Sequence, residues 1–256
     1  MRIILDFPRR LTACLFALLA LCLAACLFTL PACKKIDNYP APSSGIYGTL
    51  TDAETGGPLI LPQGEGSIRL LEQNARYPNP SPIDLAVNTK SGYEATQLFA
   101  DQYKVFPLAL SGPFVYPSGD TVLTTLPANG QVQVNFQVIP YYRIAATVSD
   151  TTFTFTITSS NANTAAGGHL TNVYFLISRD SALNMGTAGN LPGQYYPNQF
   201  PLDNVSDAIL GVQQTYSLPF ATTRLPPGNY YFRVCCAGSN SDGQYNYSTV
   251  VAGTVD

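Results

Sequence analysis

Few side chains in this 256-residue chain are equipped to make or break bonds. The one histidine, His169, stands in the tract Gly-Gly-His-Leu. A catalytic imidazole needs a nucleophile or acid within reach, and the sequence has no Gly-x-Ser-x-Gly elbow. Paired carboxylates could cleave a glycosidic bond. The candidates are Asp52 with Glu54, in a turn, and Asp203 with Asp207, in a loop. Neither spacing sets two carboxyls across a cleft. Asp180, Asp203 and Asp207 could supply oxygens to a calcium ion, but the Asp-x-Asp-x-Asp-Gly loop is missing. Cys235 and Cys236 are adjacent, which is not the spacing of a redox pair, and they read as two reduced thiols on one strand. The chain is therefore expected to be no enzyme and to use no cofactor or metal.

Recognition chemistry is better represented. The segment 180–212 connects two expected strands and is rich in Gly and Pro. Loops beyond about 12–15 residues in compact domains are usually functional or disordered. This one carries GQYYPNQF, which places Tyr195, Tyr196 and Phe200 beside Asn198 and Gln199. Aromatic faces stack on sugar C–H faces, and side-chain amides make the directed hydrogen bonds that hydroxyls need. Tyr77 in RYPNPSP and Phe114 with Tyr116 in GPFVYP repeat the pattern. The same aromatics could instead pin their loops to a sheet or meet a protein partner.

Composition narrows the classes. Charged residues make up 11%, against about 25% in ordinary domains. Net charge is −3 and no basic run occurs in the body, so the electrostatic footprint of nucleic-acid binding is missing. One His and three cysteines past residue 30 give no zinc pattern. Hydrophobic residues reach 46%, enough to bury a core.

The elements that must hold these residues begin after a leader. Arg2, Arg9 and Arg10 precede an uncharged apolar run from Leu11 to Leu30. The run ends in Leu-Pro-Ala-Cys at residues 30–33 and turns polar at Lys34 and Lys35. This resembles a bacterial lipoprotein box, with residues 1–32 as a signal peptide and Cys33 as the lipidated residue. The alternatives are Cys26, in Leu-Ala-Ala-Cys but followed by an apolar stub, and an uncleaved membrane anchor. Residues 33–44 form an extended tether.

From Gly45 onward apolar and polar residues alternate in short runs, the mark of half-buried strands. Strands are expected at Gly45–Thr51, Ser67–Gln73, Ile83–Val87, Tyr93–Phe99, Gln102–Pro107, Thr121–Leu126 and Gln131–Ile139. A second set covers Arg143–Val148, Thr152–Ser159, Leu170–Ser178, Gln213–Phe220, Asn229–Cys236 and Tyr245–Val251, with a short helix at Asn204–Leu210. Many short strands separated by turn signals suggest β-sandwiches. The expected organisation is all-β, with two tandem sandwiches at 45–139 and 140–256.

Two tracts carry family resemblances. GTLTDAETGGPL, with Asp52, Thr55, Gly56, Pro58 and Leu59, resembles the transthyretin-like or carboxypeptidase-regulatory sandwich, as do Tyr103 and Val105 further on. LPPGNYYFRV resembles the tyrosine-corner signature of fibronectin type III domains, with Tyr230 as the corner residue and Tyr231 as its rival. Taken whole, the chain resembles a Bacteroidota outer-membrane lipoprotein family of unknown function associated with Sus-type glycan-uptake loci. That resemblance implies an accessory binding component of a glycan-capture and import system, with an oligosaccharide or the importer and its lipoproteins as partners. A structural or adhesive spacer is the alternative, and a glycoside hydrolase a remote one. The implied address is the outer membrane, at the cell surface or, given Lys34 and Lys35 after the lipid site, the periplasmic face.

Overall fold

The computed structural model describes residues 40–62, 64–74, 78–119, 121–149, 152–160, 168–185, 199–217, 226–241 and 243–255. Apart from one 3-10 turn at Asp207–Ile209, their regular structure is all β. Among them no helix is long and apolar enough to cross a membrane.

The first half holds β1 (Ser44–Asp52), β2 (Ser67–Glu72), β3 (Ile83–Ala86), β4 (Gly92–Leu98), β5 (Gln102–Pro107), β6 (Phe114–Val115), β7 (Val122–Thr125), β8 (Gln131–Gln133) and β9 (Phe136–Pro140). One sheet runs β4–β1–β9–β6, with β8 also on β1; the other runs β3–β2–β5–β7. Alternation decides which residues meet between them. Ile46 and Leu50 of β1 and Phe136 and Val138 of β9 share a core with Ile68, Leu70, Tyr103 and Val105 of the facing sheet. The turn after β1 is tight: Gly56 adopts φ +72°, and its N–H donates to the Asp52 carbonyl at 2.8 Å. Only glycine takes that backbone without strain.

The single strand expected over Gln131–Ile139 is broken between β8 and β9. The cause is close approach at Gly48, where an added Cβ would lie 1.7 Å from the Val134 carbonyl oxygen. That oxygen accepts the Tyr93 hydroxyl at 2.5 Å. The Asn135 side chain takes over the ladder position, its Oδ1 accepting the Thr49 N–H at 3.0 Å. Register survives the break, with Tyr47 beside Gln133 and Leu50 beside Phe136.

The second half holds β10 (Tyr142–Ser149), β11 (Thr152–Ser159), β12 (Leu170–Ser178), β13 (Gln199–Pro201), β14 (Gln214–Ser217), β15 (Gly228–Gly238), β16 (Asn246–Tyr247) and β17 (Val251–Val255). Sheet β10–β11–β14 faces sheet β13–β12–β15–β16, to which β17 adds on β15. Aromatic rings fill the space between. Phe153 lies 5.0 Å from Phe175, and Phe175 stacks on Tyr216 at 4.2 Å. The last strand expected, Tyr245–Val251, is two short ones, β16 and β17, each paired to a different stretch of β15. The expected helix at Asn204–Leu210 is reduced to the 3-10 turn.

Tyr230 is the corner tyrosine. It is 1% exposed, and its hydroxyl donates to the Pro226 carbonyl at 2.7 Å. Tyr230, Phe232, Val234 and Cys236 face the core of the second sandwich. Tyr231 points the other way, with Cys235, into a third cluster that contains Leu176, Leu183 and Tyr247 and packs against Ile60 of the first half.

The halves join in one compact unit, Pro42–Asp256. Asn246 is buried in the join. Its Oδ1 accepts the Tyr142 N–H at 3.0 Å and its Nδ2 donates to the Pro113 carbonyl at 3.0 Å. Removing one partner leaves a buried backbone group unsatisfied, at about 1–3 kcal/mol each. Asn246→Ala is therefore expected to lower unfolding free energy by about 2–4 kcal/mol in urea denaturation. A loss under about 0.5 kcal/mol, the scale of an ordinary surface change, would show that neither the Tyr142 bond within the second half nor the Pro113 bond across the join matters to stability.

Candidate functional site

The solvent face of the first sandwich follows from its core. Because Ile46, Leu50, Val134, Phe136 and Val138 point inward, Tyr47, Thr49, Thr51, Gln133, Asn135 and Gln137 must point outward. Parallel pairing aligns Tyr47 with Gln133 and Thr51 with Gln137. Thr49 and Asn135 are joined directly, since Asn135 Oδ1 accepts both the N–H and the hydroxyl of Thr49, at 3.0 and 3.1 Å. This occupies the oxygen and leaves the Nδ2 hydrogens to donate elsewhere.

Beyond β9 the chain after β6 raises a wall over this face. Tyr116, Pro117, Ser118 and Val122 border an open groove of about 570 Å³, whose floor is Thr49, Thr51, Asn135 and Gln137. Tyr116 is fixed edge-on against Phe136, with ring centroids 5.8 Å apart at 89°. Among the described residues that line the groove, none is ionisable in the neutral range. One aromatic ring, hydroxyls and amides without charge suit an uncharged polyhydroxyl ligand better than an ion or a nucleic acid.

Among the described residues singled out from sequence, Tyr116 borders the groove and the others do not. Phe114 is a core residue, 4% exposed, wedged against Gly112 and Gly66, so it offers no face to a ligand. Gln199 and Phe200 lie in β13, paired with Leu176 and Phe175 of β12. Tyr77, Tyr195, Tyr196, Asn198 and the lipid-site candidate Cys33 lie outside the described residues. The groove floor was overlooked because the alternation from Gln131 to Val138 was read for its apolar half. Its polar half is all amide, Gln131, Gln133, Asn135 and Gln137, and that uniformity was the available signal.

Three of the carboxylates considered for hydrolysis, Asp52, Glu54 and Asp207, are engaged elsewhere. Arg143 binds Asp52 through Nε and Nη2 at 2.5 and 2.7 Å, and Glu54 through Nη1 at 2.7 Å. Burial pushes the Asp52 carboxyl up. The Arg143 hydrogen bonds, the Glu54 N–H and the guanidinium charge outweigh it and hold Asp52 below its ordinary value. Asp207 accepts His169 Nδ1 at 2.6 Å and the Leu170 N–H at 2.7 Å, which holds it low as well. Among the described residues no three His, Cys, Asp or Glu side chains gather as a metal site. Cys235 and Cys236 are free thiols, buried on opposite faces of β15, and burial raises both.

One titratable group at the join stands apart. Glu65 Oε1 accepts the Tyr247 hydroxyl at 3.3 Å, while among the described residues the buried Oε2 has no side-chain hydrogen-bond partner. Burial lifts its carboxyl to about 7, against the pull of the Tyr247 hydroxyl and the nearby Arg233 charge.

Residues 44–139 match the family model described as "Protein of unknown function (DUF3823) N-terminal domain". Among solved structures, the chain is similar to a DUF3823 family protein from Parabacteroides merdae. Identity is 21% and the TM-score 0.60, over 85% of this chain and 100% of that one. A DUF3823 family protein from Bacteroides uniformis matches at 18% identity and a TM-score of 0.59, over 84% and 100%. A structure from Bacteroides uniformis described as a "putative carbohydrate binding protein" matches at 20% identity and a TM-score of 0.60, again over 84% and 100%. These likenesses establish the β-sandwich fold. No curated protein matches the chain.

Glu65 gives the join a pH dependence of definite sign. Its carboxyl is raised on folding from an ordinary 4.5 to about 7. The folded state thus binds the proton more tightly, and the stabilisation is full below pH 4.5 and lost as pH rises through 7. The melting temperature of the wild type is expected to fall between pH 4.5 and 8 relative to that of Glu65→Gln. Parallel melting curves for the two proteins across this window would refute a raised Glu65.

Proposed function

We propose that this protein is a non-catalytic, glycan-binding lipoprotein of the cell envelope. It is held to the outer membrane through lipid on Cys33 and serves as an accessory binding component of a glycan-capture and import system. The observation that carries the reading is the groove that Tyr116 lines together with Thr49, Thr51, Asn135 and Gln137, with no charged side chain among its described lining residues. A ring wall and an amide floor match the two faces of a pyranose, one of C–H groups and one of hydroxyls. The similarity to a structure described as a carbohydrate binding protein agrees with this use of the fold. The proposed mechanism is capture alone: Arg143 neutralises Asp52 and Glu54, and among the described residues no carboxylate borders the groove.

A second reading, a spacer that presents a partner protein, draws on the hydrogen-bonded join between the sandwiches. Asn246 and Arg143 both bridge the halves, as a stiff rod requires.

Affinity electrophoresis against a panel of neutral polysaccharides, followed by calorimetry with the retarding one, separates the two. Tyr116→Ala and Gln137→Ala are each expected to weaken binding by about tenfold, the size of one well-placed contact. Failure of every glycan to retard the wild type would leave the spacer. Fractionation of cells making Cys33→Ser should find the protein released from the membrane fraction, whereas full retention would remove the lipid anchor.

A further inference from the structure

Arg233 is placed where a cation is costly. It lies on β15 and is 6% exposed. Its Nε donates to the Ser248 carbonyl at 2.8 Å and its Nη1 to the Leu183 carbonyl at 2.7 Å. The guanidinium carbon sits 4.3 Å over the Tyr247 ring. Among the described residues Nη2 has no hydrogen-bond partner, and no carboxylate forms an ion pair with the group. Burial lowers Arg233 to about 10, so it remains charged in the neutral range. A buried charge without a counter-ion is strongly disfavoured unless something else completes its environment.

The surroundings provide the room. Arg233 lines a cleft of about 330 Å³ between the two sandwiches. Ile60, Pro62 and Thr89 form its first-sandwich wall, and residues 181–184 with Thr249 and Val250 form the other. Glu65, the carboxyl whose charge Arg233 feels, hydrogen-bonds Tyr247 and is not part of the cleft wall. The cleft thus combines a fixed guanidinium with the hydroxyls of Thr89, Ser181 and Thr249.

We propose that this cleft is a second binding site, for a hydroxylated carboxylate of the uronic-acid class, whose carboxylate meets Arg233 Nη2 while its hydroxyls meet the threonine and serine side chains. Two backbone carbonyls hold the guanidinium in place, so its charged Nη2 is pre-oriented, and a charge-assisted hydrogen bond favours a carboxylate over a neutral sugar. This site is separate from the Tyr116 groove, and it binds by charge, which the groove's described lining residues do not carry.

Calorimetry on the whole protein with sodium galacturonate, a galacturonate oligomer, sodium gluconate and galactose tests the assignment. Galacturonate should bind, and galactose, lacking the carboxylate, should bind at least about tenfold more weakly, the size of a lost charged hydrogen bond. Tighter binding of the oligomer than the monomer assigns the source to a glycan chain, and equal binding with gluconate assigns it to free hydroxy acids. Arg233→Met removes the charge but also two structural bonds. Thr89→Glu, in an exposed turn at the cleft wall, therefore serves as the second variant, expected to weaken galacturonate binding about tenfold with an unchanged melting temperature. Tyr116→Ala should leave galacturonate binding intact. Equal affinity for galactose and galacturonate, or unaltered binding by Thr89→Glu, overturns the proposal whatever becomes of the groove.

Discussion

The structure depends on polar groups that can be satisfied only when two sandwiches meet. Asn246 carries the clearest case. It is 3% exposed, and both ends of its amide are used, one on the Tyr142 N–H and one on the Pro113 carbonyl. Arg143 repeats the logic at the rim, drawing Asp52 and Glu54 of the first hairpin onto the first strand of the second half. Exposed ion pairs contribute little, but Asp52 is 5% exposed and held by two hydrogen bonds. Direction matters more than strength here. Unlike an apolar contact, which tolerates sliding, a hydrogen-bonded amide fixes both distance and angle.

This joining explains an oddity of the second sandwich. Most sandwich sheets bury one face and wet the other. In β15, every residue from Phe232 to Gly238 is buried. The Phe232, Val234 and Cys236 face fills the ordinary core, while the Arg233 and Cys235 face is covered by Leu183, Tyr247 and, from the first half, Ile60. A sheet covered on both sides cannot display a ligand-binding face. On the first sandwich, the outer β1–β8–β9 surface is open instead, with Thr49, Gln133, Asn135 and Gln137 exposed.

Much of this was legible in the sequence, because alternation records one-sided burial. Phe153, Phe155 and Ile157 point inward as their spacing requires, and Tyr230 rather than Tyr231 turns the corner because it shares parity with Phe232 and Val234. What could not be read depends on contacts distant in sequence. The break at Asn135 arises from Gly48, many residues earlier, pressing on Val134. Phe114 looked like a loop aromatic because its neighbours are Gly, Pro and Tyr; its burial comes from Gly66 and Gly112, which leave the space its ring fills. Pro113, which accepts from Asn246, and Asp52 and Glu54, which bind Arg143, lie on the opposite sandwich, and no local pattern names them.

The same reasoning accounts for where binding chemistry resides. A loop that recognises a ligand must be ordered on binding, which opposes affinity. The groove floor needs no such ordering. Its threonines and amides stand on paired strands, with Asn135 oriented by the Thr49 backbone and Tyr116 set against a buried phenylalanine. That its described lining residues carry no charge follows from position too. A carboxylate or ammonium on this face would strengthen binding to ions at the expense of neutral hydroxyls, whereas an amide offers a donor and an acceptor to either orientation of a hydroxyl. The charged recognition group, Arg233, is instead sunk between the sandwiches, where low polarity magnifies its pull on an anion. Partition of neutral and charged chemistry between an open face and a closed join is what this pairing of sheets makes available.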